Sequence, residues 1–185
     1  MSNKNNKIIF ILSVLLIFSI VFNLYILQEN RTQKKYNDHF LNSVFPYINK
    51  ELGYILDDTY ECFIKEDHIK LTSIDRRLTF VNFFLRDIYF LNHEFDFNVN
   101  ALSSYFLYLL QDPNNITDYD REALRQLSNL GSVLKLPNNH IYEKNVWIIK
   151  EKNKLFPTEK TKKYYSEIEK ISLDTIKKHE LSSPE

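Results

Sequence analysis

Glycine and alanine are almost missing from this chain: Gly53 and Gly131 are its two glycines, Ala101 and Ala123 its two alanines. Two glycines 78 positions apart cannot build a phosphate-cradling loop, which needs several within a few residues. Cysteine is as scarce. Cys62 stands alone, which excludes an intramolecular disulfide framework and any multi-thiolate metal site. Net charge is missing as well, because 24 Lys+Arg balance 24 Asp+Glu. A neutral balance excludes a generally basic nucleic-acid binder, so no nucleic-acid partner is expected.

What is present fits a folded domain. Aromatic residues make up 15% and charged residues 26% of the 185 positions, which excludes a disordered chain. Setting aside one apolar segment near the N-terminus leaves roughly 155 residues, enough for a single core. Ile, Asn, Lys, Phe and Tyr are abundant, the pattern of AT-rich codon usage. The aromatic excess therefore reads first as core material and only second as recognition surface.

The strongest single feature runs from Ile8 to Leu27, twenty residues without charge, glycine or proline. A helix of that length rises about 30 Å, the thickness of a bilayer's hydrocarbon core. Its polar side chains are Ser13, Ser19, Asn23 and the hydroxyl of Tyr25. The run is longer than a signal-peptide core and no small-residue cleavage site follows it. A transmembrane helix is expected over Ile8–Leu27, with membrane lipid as its partner. It is preceded by a short tail over 1–7 and followed by a juxtamembrane linker over 28–35. Lys4 and Lys7 flank it on one side, Arg31, Lys34 and Lys35 on the other, so flanking charge nearly ties. The short tail favours a cytoplasmic N-terminus and an extracytoplasmic C-terminal domain in a single-pass cell-membrane protein.

Beyond the linker, apolar residues recur at helical spacing, which predicts a mainly α fold. A compact bundle of about five helices is expected over 36–181, with a short tail over 182–185. The first stripe is Phe40, Leu41, Val44, Phe45, Ile48, Leu52 and Ile55. Pro46 predicts a kink or a helix start, and Asp57-Asp58-Thr59 a break with a new cap. A short helix is read over 60–71. Ile74 to Phe95 reads as the central helix, with Leu78, Val81, Leu85 and Ile88 on one stripe. Phe80, Phe83, Phe84 and Phe90 widen that stripe beyond one face. Asn98 or Asn100 can cap a helix over 101–111, Thr117 opens another, and Gly131 suits a helix C-terminus. The run 133–149 admits a small hairpin or irregular structure. Pro157 with Thr158 or Glu159 starts a last helix carrying Tyr165, Ile168, Ile171, Ser172 and Ile176.

Charge shifts along the chain. Residues 32–142 carry 11 basic and 15 acidic side chains, a net of −4, and residues 143–185 carry 10 and 8, a net of +2. The lysine-rich end reads as a solvated helix face laced with glutamate.

Chemistry is hard to find. The acidic neighbours Glu61, Glu66 and Asp67 disfavour a thiolate at Cys62, so it reads as a buried thiol. His39, His68, His93, His140 and His179 are scattered and form no H-x-x-x-H motif. Asp57-Asp58 and Glu66-Asp67 suit capping and solvation better than acid–base work. No catalytic, cofactor-binding or metal-ligating residue is assigned, and an enzyme is not expected.

The expected function is a non-enzymatic interaction or accessory domain held at the membrane surface. Tyr60, Tyr119, Tyr142 and Trp147 are the candidate contacts with a protein partner. The alternative is a helical ligand-binding or sensor domain facing the extracytoplasmic side, with Phe80, Phe83, Phe84 and Phe90 lining its cavity.

Overall fold

The computed structural model describes residues 2–64, 71–113, 115–136, 147–151 and 154–182; of these, the side chains of 2–14, 71, 72, 150, 151, 154 and 182 are not described. Five helices and one hairpin are present among them: α1 (Ser2–Ile64), α2 (Leu71–Leu91), α3 (Asn100–Gln111), α4 (Asp118–Leu134), β1 (Ile148–Glu151), β2 (Lys154–Pro157) and α5 (Glu159–Ser182). The chain divides into two compact units, Met1–Phe40 and Leu41–Glu185.

The first unit is helical. Every described side chain from Leu15 to Tyr36 is exposed, apolar ones included. Its polar side chains bond back along the helix: Asn23 Nδ2 donates to the Ser19 carbonyl at 2.8 Å, and Thr32 Oγ1 to that of Gln28 at 3.0 Å. Among the described residues, no helix is long and apolar enough to cross a membrane. The transmembrane helix expected over Ile8–Leu27 is thus not found there. Seven of its twenty side chains, from Ile8 to Val14, lie outside the described residues.

The second unit is a mainly helical bundle. The α1 residues Leu41, Phe45, Ile48, Leu52, Ile55, Leu56, Cys62 and Phe63 are buried, which is the expected stripe continued past its expected end. Pro46 lies inside α1, so of the kink or helix start expected there the start is excluded. One boundary read from the sequence is corrected: α1 runs through Asp57-Asp58-Thr59 where a break was expected. The reason lies in partners from other parts of the bundle. Ser128 Oγ donates to Asp57 Oδ1 at 2.7 Å, Lys135 Nζ reaches Asp57 Oδ2, and Arg77 Nη1 donates to Asp58 Oδ2 at 2.6 Å. Thr59, instead of capping a new helix, donates to the Ile55 carbonyl at 2.6 Å.

Past α2 the chain becomes an extended strap. Phe95, Phe97 and Val99 are buried while Asp96 and Asn98 between them are exposed, the alternation of extended backbone. The helix expected to reach Phe95 therefore ends at Leu91. Phe45 packs edge-on to Phe95 (5.0 Å), and Phe97 stacks on Tyr165 (4.4 Å), so the strap closes the core between α1 and α5. Asn92 Nδ2 donates to the Leu155 carbonyl at 2.8 Å and ties the end of α2 to the hairpin.

Thr117 caps α4 in a reciprocal box: it accepts from Asp120 N while Asp120 accepts from Thr117 N. Gly131 does not end that helix, which continues to Leu134. The hairpin expected within 133–149 lies later. β1 and β2 pair antiparallel, with Ile148 opposite Pro157 and Glu151 opposite Lys154. Leu134, which read as strand, completes the apolar stripe of α4 instead. α5 buries Thr161, Tyr165, Ile168, Ser172, Thr175 and His179, a strict three-and-four spacing.

Candidate interaction surface

α2 has two apolar faces. Ile74, Leu78, Val81, Leu85 and Ile88 are buried against the bundle. At 100° per residue, Phe83 and Phe90 fall on nearly the opposite side, and Phe80, Leu91 and Phe84 flank the buried face at about 120°, 100° and 80° from its centre. Phe83 is 51% and Phe90 68% exposed, and Phe80 and Leu91 are exposed too. The rings are already in contact: Phe80–Phe84 centroids are 4.5 Å apart, Phe83–Phe84 5.9 Å. The Arg86 guanidinium lies over Phe83 at 5.1 Å. Single exposed apolar residues are ordinary, but a contiguous aromatic stripe marks an interaction site. The central position expected of this helix is corrected accordingly: Phe80, Phe83 and Phe90 are on the surface and Phe84 is half-buried.

Beside the stripe lies an open groove of about 430 Å³ between α2 and the strap, lined by Asn82, Phe83, Arg86, Tyr89, Asp96 and Phe97 among others. Asn82 builds its floor. Its amide donates to Asn100 Oδ1 at 2.9 Å and accepts from Val99 N at 3.2 Å, which fixes the start of α3.

The four aromatic contacts expected from the sequence fare differently. Tyr119 is exposed, with Lys178 Nζ 5.0 Å from its ring. Tyr60 is half-buried. Tyr142 lies outside the described residues. Trp147 is corrected: it is 0% exposed, so it is core and not a contact. Its ring meets Tyr164 edge-on at 6.0 Å, and its carbonyl accepts from Thr158 N and Thr161 Oγ1 at 3.0 and 2.8 Å. The α2 stripe was legible as apolar positions; only its exposure was not.

Titratable groups gather in one buried place that sequence spacing did not reveal. Asp120 is fully buried. Its Oδ1 accepts from the Tyr105 hydroxyl at 3.1 Å and lies 2.7 Å from His179 Nε2; its Oδ2 accepts from Thr117 N and Oγ1 at 2.9 and 2.6 Å. Burial, then the Asp120 charge, pushes the Tyr105 phenol far above its ordinary value. α3, α4 and α5 each supply one member, so the cluster locks three helices. Both carboxylate oxygens of Asp120 are engaged and the residue is fully buried. The signal available in advance was the T-x-x-D box.

Arg77 is held by two carboxylates. Its Nε donates to Glu51 Oε1 and its Nη1 to Asp58 Oδ2, both at 2.6 Å. Burial pulls its guanidinium down, but those bonds and charges outweigh it and raise it overall. Cys62 is buried, and His68 and His140 lie outside the described residues. Among the described residues no group of three His, Cys, Asp or Glu is placed to hold a metal ion.

No protein-family model, curated protein or solved structure matches this chain.

Proposed function

We propose that this chain is a single-pass membrane-anchored interaction module, non-enzymatic, whose helical domain meets a protein partner at the aromatic face of α2. The observation that carries the reading is the exposure of Phe80, Phe83 and Phe90 on a helix whose opposite face is fully buried. The anchor is Ile8–Leu27. Its support is the twenty-residue uncharged run, together with exposed apolar side chains from Leu15 onward and an Asn23 amide bonded within its own helix.

Two measurements test it. Alkaline carbonate leaves the full-length protein in the membrane pellet; release into the supernatant removes the anchor. Crosslinking of tagged full-length protein in its own membranes captures a partner that is lost on Phe83→Asp. Capture that survives Phe83→Asp and Phe90→Ser together moves the contact away from α2.

A second reading is a ligand-binding or sensor domain, favoured by the groove of about 430 Å³ beside Arg86 and Asp96. A small molecule co-purifying with the protein and lost on Arg86→Ala supports it.

A further inference from the structure

Asparagine returns at a fixed interval along the first unit. Asn23, Asn30 and Asn37 are seven positions apart, and Ser19, Ile26 and Gln33 each stand four positions before one of them. That alternation of three and four is the heptad of a two-stranded coiled coil, with asparagine at a and the others at d. At 100° per residue the six fall within about 80° of arc, one narrow seam down α1. Asn37 is half-buried and the other five are exposed. Asn23 Nδ2 donates to the Ser19 carbonyl at 2.8 Å and lies 3.5 Å from its hydroxyl, while Asn23 Oδ1 accepts from no donor among the described residues. The same register puts Glu29 at g and Lys34 at e, on opposite flanks of the seam. Neither forms an ion pair among the described residues.

We infer that the first unit pairs with a second copy of this chain, as a parallel, in-register coiled coil along this seam. The inference rests on the Ile8–Leu27 anchor and goes beyond the α2 face, which it does not use. Equivalent a positions meet in a parallel pair, so each asparagine faces itself, and an amide both donates and accepts. Glu29 of each copy then faces Lys34 of the other, which gives two ion pairs of opposite charge. A slip of one heptad sets Glu29 against Leu27 or Leu41 and loses those pairs. Copies anchored by the same run in one membrane share their direction, which is what parallel pairing needs. Lipid alone leaves Asn23 Oδ1 in hydrocarbon, about 6 Å from the end of the run and without a donor. A second helix supplies one.

The seam is large enough. Eight a and d positions run from Leu16 to Phe40, and at roughly 70 Å² each, with their flanks, they bury about 700 Å² per copy. Both copies together bury about 1,400 Å², within the range of specific interfaces. The asparagines lower stability in water and fix the strand number and the register. Inside the bilayer apolar burial drives nothing, so close packing and hydrogen bonds from Asn23 and Ser19 supply the attraction. Sharing one membrane raises the effective concentration of the two copies.

The test is oxidative disulfide crosslinking of full-length chains in their own membranes. Cys62 is buried and common to every sample, so the unsubstituted chain sets the background. Asn30→Cys and Gln33→Cys lie on the seam, Gln28→Cys and Lys35→Cys on the far side of the helix, and all four positions are exposed. A disulfide needs Cα atoms within about 7 Å, so the seam positions are expected to give about fivefold more dimer, or better, than the far ones. Sedimentation velocity in detergent micelles reads the charges. Glu29→Lys and Lys34→Glu each weaken self-association about fivefold, and the two together in one chain restore it. Unchanged thermal melts show that each variant folds. Equal crosslinking at the four positions, or none, overturns the pairing, as does a double charge variant no stronger than the singles. If that happens while alkaline carbonate leaves the chain in the pellet, the anchor stands and the pairing alone falls. Release into the supernatant removes the anchor and the pairing with it. Phe83-dependent capture of another protein bears on the α2 face alone.

Discussion

Gly53 and Gly131, the two glycines of the chain, face each other where α1 crosses α4. A Cβ built on Gly53 would stand 2.6 Å from the Gly131 carbonyl oxygen, and one on Gly131 would stand 2.7 Å from that of Gly53. The helices meet backbone to backbone. Alanine in place of glycine inside a helix ordinarily stabilises by about 1 kcal/mol. Here the sign reverses. Gly53→Ala and Gly131→Ala are each expected to destabilise by about 1–3 kcal/mol, since a carbonyl cannot rotate aside as a side chain can. Urea denaturation of each variant measures it, and a gain in stability would refute the close crossing.

Asp120 is the polar counterpart of that crossing. Removing it takes the acceptor from the buried Tyr105 hydroxyl and from the half-buried Thr117 donors, and breaks the contact with His179 Nε2. Asp120→Ala is expected to destabilise by about 3–5 kcal/mol, and Thr117→Ala, which loses the cap, by about 1 kcal/mol. Chemical denaturation of both orders them; equal losses would show that the buried contacts add nothing to the cap.

Tyr165 donates to Asn49 Oδ1 at 2.8 Å, while Asn49 Nδ2 is buried with no hydrogen-bond partner among the described residues. Each single change, Tyr165→Phe or Asn49→Leu, leaves a polar group buried alone and is expected to destabilise by about 1–3 kcal/mol. The double variant loses less than the sum of the two. A double-mutant cycle by thermal or chemical melts reads the coupling, and additive losses would mean the bond is worth nothing.

Burial pushes the phenols of Tyr105 and Tyr165 well above the ordinary value of 10. Raised in the folded state, each contributes stability that is complete below pH 10 and lost as pH rises beyond it, where the unfolded chain ionises first. Stability is thus expected to fall above pH 10, and less steeply in Tyr165→Phe. Denaturant midpoints between pH 8 and 11 follow it, with the slope in the variant as the deciding quantity.

The α2 face predicts a contrast between stability and association. Phe83→Ser and Phe90→Ser change exposed side chains and are expected to shift stability by no more than about 0.5 kcal/mol. Leu85→Ala, on the buried face of the same helix, is expected to lose about 2–5 kcal/mol. Thermal melts of the three variants separate a working surface from a core.

Local periodicity made much of this molecule legible. The stripes Leu41–Ile55, Leu78–Ile88 and Tyr165–Ser172 are the buried faces of α1, α2 and α5. The Thr117 cap was readable too, because an N-cap is satisfied by residues three positions away. The break expected at Asp57-Asp58 was not there, since those carboxylates are held by Ser128, Lys135 and Arg77 from distant parts of the chain. The central helix was read on to Phe95, past its end at Leu91, because Phe95 continues the apolar run where its period changes from 3.6 to 2.

The sequence by itself determined that the fold is mainly helical, which stripes are apolar, and that two glycines and one cysteine exclude whole classes of site. Tertiary structure decided which of two apolar faces on α2 is core, that Trp147 is inside, and that Gly53, Asp120 and His179 have partners far along the chain. The division has one physical cause. Helix periodicity and capping are set by neighbours within four residues, whereas burial and hydrogen-bond partnership are set by whatever the other helices bring alongside.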